Sequence, residues 1–301
     1  MEQRMNSRTR IVGHWIPAAA GIVMLAALSM GIAQAQGKLV DTHVHLHHGK
    51  ASLEEYRAQL ATAKLELGTA GIMWFGGGNQ ALQGDVAAIR ANNDQIIALA
   101  ASDPKLVPIA TVHPYDGDAA LMELQRVAKL GVKVLKIHPH TQKFDAADPR
   151  VLALVRRAGE LQVIVLMDNA SILPGDCEKL FNLALDAPKT TFIFAHLGGL
   201  NFRFWNILQA ARTAENLFGD NIYFDISATV ALMADSPIAD EFVWTVRNVG
   251  VEHVLLGSDF PQFTLAQNVA ALEKLKLTDS EKAAIRHENA ERRFMDSSLS
   301  V

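Results

Sequence analysis

The chain has 301 residues, half of them hydrophobic and a fifth charged, with a formal net charge of −4 and one cysteine, Cys177. A single cysteine excludes an intrachain disulfide, and a mildly acidic balance carries no electrostatic footprint for nucleic acid. This length and apolar content suit one large domain with a full core, stabilised by packing and by any metal it binds.

The chain opens with "MEQRMNSRTR", carrying Arg4, Arg8 and Arg10, and then runs from Ile11 to Gln36 without Asp, Glu, Lys or Arg. Ala33-Gln34-Ala35 fits a small-x-small cleavage site, so residues 1–35 read as a secretory signal peptide and residues 36–301 as the mature domain. The expected location is therefore periplasmic or secreted, with no membrane contact after cleavage. The alternative is a retained N-terminal anchor, since Ile16 to Ile32 is about long enough to span a bilayer. No cysteine near the site and no adjacent arginine pair argue against a lipid-anchored or twin-arginine start.

Eight short apolar runs follow: "KLVDTHVHL", "AGIMWFG", "LVPIATVHP", "VKVLKIHP", "VIVLMD", "TTFIFAHLG", "NIYFDIS" and "HVLLGSDFP". Bounded by Gly, Pro, Asp and Asn, they read as strands buried on both faces, hence parallel. The segments between them are helical in pattern. "DPRVLALVRRAGELQ" offers Asp148 as N-cap, Pro149 at the first position and a stripe of Val151, Leu154, Val155 and Ala158. "DGDAALMELQRVAKLG" offers Asp118 as a cap and Gly131 as a stop. Eight strand–helix units predict a single-domain (β/α)8 TIM barrel in the α/β class; a doubly wound open sheet is the alternative.

In such a barrel chemistry sits where strands end at the C-terminal face. Of eleven histidines, eight (His43, His45, His47, His48, His113, His138, His140 and His196) fall at or just past strand exits, which an even scatter would not produce. Other exits carry Trp74, Lys136, Asp168, Asn169, Asp225, Ser227, Ser258 and Asp259. Residues two apart in a strand share a face, so His43 and His45 both point into the barrel mouth and can bind one cation. Asp41 has the same parity one step deeper, placed to accept from a ligand histidine. His47 and His48 lie past the strand as loop or substrate-facing groups. The bland alternative makes His43 and His45 hydrogen-bonded core residues. It leaves Asp168 and Asp259 as buried charges without a cation, which is costly.

"DTHVH", "FAHLGG", "LLGSDFP" and the terminal "HENAERRF" together resemble the amidohydrolase superfamily. Within it they are closest to the amidohydrolase-related branch of aminocarboxymuconate semialdehyde decarboxylase, aromatic-acid decarboxylases and lactone hydrolases. The resemblance spans nearly all of residues 38–295 and implies a TIM barrel holding one divalent metal, usually Zn2+, with Mn2+ the alternative. By matched position His43 and His45 would be first-strand ligands. Asp259 would be both ligand and base, and His196 the group that polarises the substrate or shuttles a proton. Asn289 and Phe294 would be structural. One position departs: where the family ends strand five in histidine, this chain has Asp168. Asp168 replaces that ligand, or His138 supplies the nitrogen with Asp168 behind it, or the site has degenerated. Lys136 could bridge metals as a carbamate, although its depth favours pairing with a buried carboxylate.

The expected reaction is metal-assisted hydrolysis of a small ester, lactone or amide, with Asp259 and His196 catalytic and Trp74, His113, His138, His140 and Asn169 facing the substrate. The alternative reactions are non-oxidative decarboxylation, with Trp74, Phe202 or Trp205 stacking and Arg203 pairing a carboxylate, or ligand binding without turnover. Expected partners are a small-molecule substrate and, as family habit suggests, a second copy in a homodimer; nucleic acid is not among them.

Overall fold

The computed structural model describes residues 38–295, so the expected leader and the Phe294 side chain lie outside the described part. All eight apolar runs become strands: β1 (Leu39–His45), β2 (Leu67–Met73), β3 (Leu106–Thr111), β4 (Val134–Ile137), β5 (Ile164–Met167), β6 (Phe192–Phe194), β7 (Ile222–Asp225) and β8 (Val254–Leu255). They form one sheet in chain order, every neighbouring pair parallel. The ring closes where β1 meets the residues after β8: Thr42 N donates to Leu256 O (3.0 Å), Asp259 N to His43 O (2.9 Å) and His45 N to Phe260 O (2.9 Å). The fold is a (β/α)8 barrel, as the alternation predicts.

The helices are α1 (Lys50–Ala63), α2 (Val86–Ala100), α3 (Asp118–Lys129), α4 (Pro139–Gln142), α5 (Pro149–Glu160), α6 (Asp176–Asp186), α7 (Ile207–Thr213), α8 (Thr229–Met233), α9 (Ala239–Val249), α10 (Leu265–Lys274) and α11 (Asp279–Ala283). α5 starts as expected. Asp148 accepts from Arg150 N at 2.8 Å, Pro149 fills the first turn, and Val151, Leu154, Val155 and Ala158 are buried. α3 differs. Asp118 is its first helical residue and makes no capping bond, because Gly117 takes the cap position. Gly131 ends that helix at φ +92°.

Strand residues of one parity, such as Val44, Ile72, Leu135, Met167 and Phe224, pack outward against the helices. The other parity makes a second apolar layer inside the barrel, including Val134, Leu166, Tyr223 and Leu255. One step further along the same strands, that inner parity turns polar at Lys136, Asp168 and Asp225. The barrel is thus plugged by hydrophobic packing below and lined by ionisable groups at its mouth.

Candidate metal centre and active-site cavity

His43 and His45 come together with Asp259. Their ligand atoms all lie within 4.8 Å of one another, a cluster that could hold a metal ion. Each imidazole is aimed by its far nitrogen. His43 Nδ1 meets Asp225 Oδ2 at 3.0 Å, and His45 Nδ1 meets the carbonyl of Phe75 at 2.7 Å. Both partners are acceptors, so both Nδ1 atoms carry the hydrogen and both Nε2 atoms present lone pairs. Those Nε2 atoms face each other at 2.9 Å, with Asp259 Oδ1 at 3.6 and 3.5 Å. Three electron-pair donors converging in a buried space fit a divalent cation.

Burial, helped by the charge of Lys136 and opposed by Asp225, lowers the His43 pKa to about 4, so this ring stays neutral and ready to ligate. Burial works to raise the Asp259 pKa. The interactions with His45 and His43 and the positive His196 outweigh it and keep the carboxylate well below the usual range. Backbone geometry contributes as well. Asp259 adopts φ +61°, a left-handed conformation that Asp tolerates better than most residues.

Asp168 lines the same cavity. Its Oδ1 lies 3.4 Å from His138 Nε2 and 3.3 Å from His196 Nε2, and it is not among the three clustered donors. The hydrogen pattern separates the two histidines. His138 Nδ1 accepts from Thr141 N at 3.3 Å, so its Nε2 carries the hydrogen and the ring is neutral. That hydrogen points Nε2 toward Asp168. His196 Nδ1 faces the carbonyl of Ser227 at 3.0 Å, while the Ser227 hydroxyl is directed to Asp225. Both His196 nitrogens therefore meet acceptors and both must donate, which makes the ring an imidazolium. Burial would lower the His196 pKa, but the hydrogen bond and charge of Asp168, with Asp259 and Asp225 behind, raise it to about 9. Burial lowers the His138 pKa to about 3 against the pull of Asp168.

Lys136 reaches the donor cluster itself, its Nζ 3.2 Å from His43 Nε2, and among the described residues no carboxylate lies within ion-pair distance of it. Burial lowers its pKa, opposed by Asp168, Asp225 and Asp259.

These groups line a cavity of about 660 Å³ at the barrel mouth, with His47, Phe75 and Phe263 on its walls. Gly76 and Gly77 make room for His47: a Cβ on Gly76 would come within 2.7 Å of its Nε2, and both glycines have positive φ. His196 stands at the start of a left-handed run, His196 (φ 65°), Leu197 (46°), Gly198 (83°) and Gly199 (55°), which turns its ring into the cavity.

Several expected substrate contacts are not brought to the cavity. His113 is buried, Nε2 at 2.7 Å from Gln142 O and Nδ1 accepting from Tyr115 N, so both nitrogens serve the backbone. The Asn169 carboxamide faces Trp205 Nε1 (2.9 Å) and Gly198 N (3.2 Å), both donors, and braces the β6 exit. Trp74 packs on the outer core, and the aromatic on the cavity wall is its neighbour Phe75. His140 is exposed beside His138. Phe202 and Trp205 are fully buried, and Arg203 pairs with Glu241; none of the three lines the cavity. Asp41 accepts from Tyr56, His43 N and Ser258 N, and no imidazole donates to it; the carboxylate that orients His43 is Asp225.

Residues 40–294 match the Amidohydrolase family, and the chain belongs to it. No curated protein matches the sequence. Among solved structures, the chain resembles a candidate amidohydrolase of Staphylococcus aureus at 19% identity and TM-score 0.68, covering 86% of this chain and 100% of that one. It also resembles 2,6-dihydroxybenzoate decarboxylase of Rhizobium at 17% identity and TM-score 0.66, covering 86% and 98%. A dihydroxybenzoic acid decarboxylase of Polaromonas, solved with manganese and 2-nitroresorcinol, aligns at 14% identity and TM-score 0.63, covering 86% and 97%. At these identities the likeness is one of fold.

Proposed function

We propose that the protein is an exported hydrolase dependent on one divalent metal, acting on a small ester, lactone or amide. One observation carries this reading: two neutral imidazoles and an ionised carboxylate converge on one point, with an imidazolium, His196, on the same cavity wall. A divalent ion held by His43, His45 and Asp259 would supply Lewis acidity toward a water and a carbonyl. Asp259, kept ionised, takes the proton of the attacking water and passes it to the leaving oxygen or nitrogen as the scissile C–O or C–N bond breaks. His196 offers its Nε2 proton, shared with Asp168, to the oxygen that becomes negative. Asp168 keeps that proton in place. Zinc suits this nitrogen-rich donor set, and manganese is the alternative.

A second reading, decarboxylation in the same cavity, is favoured by the imidazolium, which could deliver a proton to carbon, and by the decarboxylases that share the fold. Against it, no arginine lines the cavity among the described residues. Export rests on the leader alone, and N-terminal sequencing of the protein from fractionated cells checks it: a start near residue 36 in the medium or periplasm supports export with cleavage, an intact Met1 in the membrane fraction supports the retained anchor, and an intact Met1 in the cytosol overturns export.

The decisive test counts metal per chain by elemental analysis, in wild type and in His43→Ala/His45→Ala. About one ion in the former and none in the latter is expected, followed by ester or lactone turnover without CO2 release. No metal in wild type would overturn the enzymatic reading, and CO2 release from aromatic acids would replace hydrolysis with decarboxylation.

A further inference from the structure

Three aliphatic side chains at the cavity mouth are unusually exposed: Ile172 at 58%, Leu200 at 72% and Leu232 at 59%. Scattered exposed hydrophobic residues are ordinary on protein surfaces. These three are not scattered. They come from the successive exits of β5, β6 and β7 and line the same cavity as His43, His45 and Asp259. Phe263, from the β8 exit, and Ala170 and Ala228 continue this wall; Thr229 and Gln262 are its polar members, and apart from Asp168, His196 and Asp259 it bears no charge. The opposite side, after β1, β2 and β4, carries His47, Gly76, Gly77, His138 and Thr141. The cavity is therefore two-faced, mainly polar on one side and, above its charged floor, uncharged and mainly aliphatic on the other. Its volume of about 660 Å³ falls within the range of drug-sized ligands, about 300–1,000 Å³, and exceeds what a bare lactone or acetyl ester would fill.

We infer that the substrate carries an uncharged aliphatic chain, a medium-length acyl or alkyl substituent, and that Ile172, Leu200 and Leu232 grip it. The inference rests on the proposal that the reacting carbonyl lies at His43, His45 and Asp259. Polycarboxylate substrates are disfavoured by the same wall, which offers them no cation. The chain covers aliphatic surface that otherwise faces water, and each methylene it buries there tightens binding.

Straight-chain primary alcohols from butanol to decanol probe this wall, because they are uncharged and cannot be hydrolysed. Calorimetric titration of the full-length protein should show affinity rising about two- to fourfold per added methylene. In Ile172→Ser/Leu200→Ser/Leu232→Ser the series should flatten, the octanol-to-butanol ratio dropping at least tenfold. Leu200→Met alone should keep the slope. All three positions are exposed, so the triple variant retains the core. A flat or undetectable series in wild type, or a slope the triple variant keeps, overturns the inference. So does a triple variant that loses only self-association, because the rim would then be a contact between copies. Failure of ester turnover with the chain-length series intact would overturn hydrolysis and leave the aliphatic site standing.

Discussion

At Asp168 one carboxylate oxygen receives two histidines, and only one of them holds the extra proton. The backbone decides which: Thr141 N donates to His138, whereas His196 meets the Ser227 carbonyl. A histidine whose folded pKa is raised from 6.5 to about 9 contributes stability in full below 6.5 and loses it as pH rises through about 9. The hydrolase reading places the alkaline limb of kcat/KM near that upper value, where His196 loses its acid proton. Asp168→Asn removes the largest raising partner and leaves burial, which lowers the pKa. The limb should then move toward neutral pH, and the His196 ring protons should titrate lower by NMR. An unmoved limb would mean that Asp168 does not hold this proton.

The β6 exit shows how an element builds the site. Its four consecutive positive-φ residues, His196 to Gly199, fold the chain back so that His196 lines the cavity and Trp205 fills the core. Backbone of this kind persists only where surrounding contacts over-determine it. Asn169, reaching across from the β5 exit, supplies such contacts at Gly198 N and Trp205 Nε1. Gly199 is the tightest point: at φ +55° and ψ −127°, a Cβ there would overlap the carbonyl oxygen of Ala170. Gly199→Ala should cost about 2–4 kcal/mol and lower the thermal midpoint by roughly 5–10 °C. It should also reduce turnover by displacing His196. A midpoint within a degree of wild type would show that the loop can relax.

Across the whole molecule there is no covalent staple. Cys177 is the only cysteine, buried, its thiol pushed up by burial to about 11. The barrel is held by packing, by the β1 closure bonds and by Asn289, whose Nδ2 donates to Val251 O and Val254 O at 2.8 Å each beside β8. The mouth carries unfavourable terms, because His43 Nε2 and His45 Nε2 oppose lone pairs at 2.9 Å. A cation that relieves them binds the folded chain alone. At a hundredfold excess over its dissociation constant, zinc or manganese should stabilise the protein by about 2.7 kcal/mol. Calorimetry should show a midpoint several degrees higher with metal in wild type, and no rise in His43→Ala/His45→Ala.

Properties carried within one segment were legible from the residues alone. Eight apolar runs became eight strands in order, because burial on both faces leaves a continuous hydrophobic signature. The convergence of His43 with His45 follows from the two-residue period of a strand, and the exit position of Asp259 placed it at the same mouth. What depended on contacts across the barrel was not legible. Asp41 shares parity with His43 on paper. A register irregularity after Asp41 and the approach of Ser258 and Tyr56 turn its carboxylate away, and Asp225, 182 residues from His43, orients that ring instead. Lys136 reaches His43, His113 turns to the backbone, Asn169 to Trp205 Nε1 and Gly198 N, and Ile172, Leu200 and Leu232 gather at one rim for the same reason. Periodicity sets the face a side chain takes; strand stagger and closure, which are properties of the assembled barrel, set the partner it finds there.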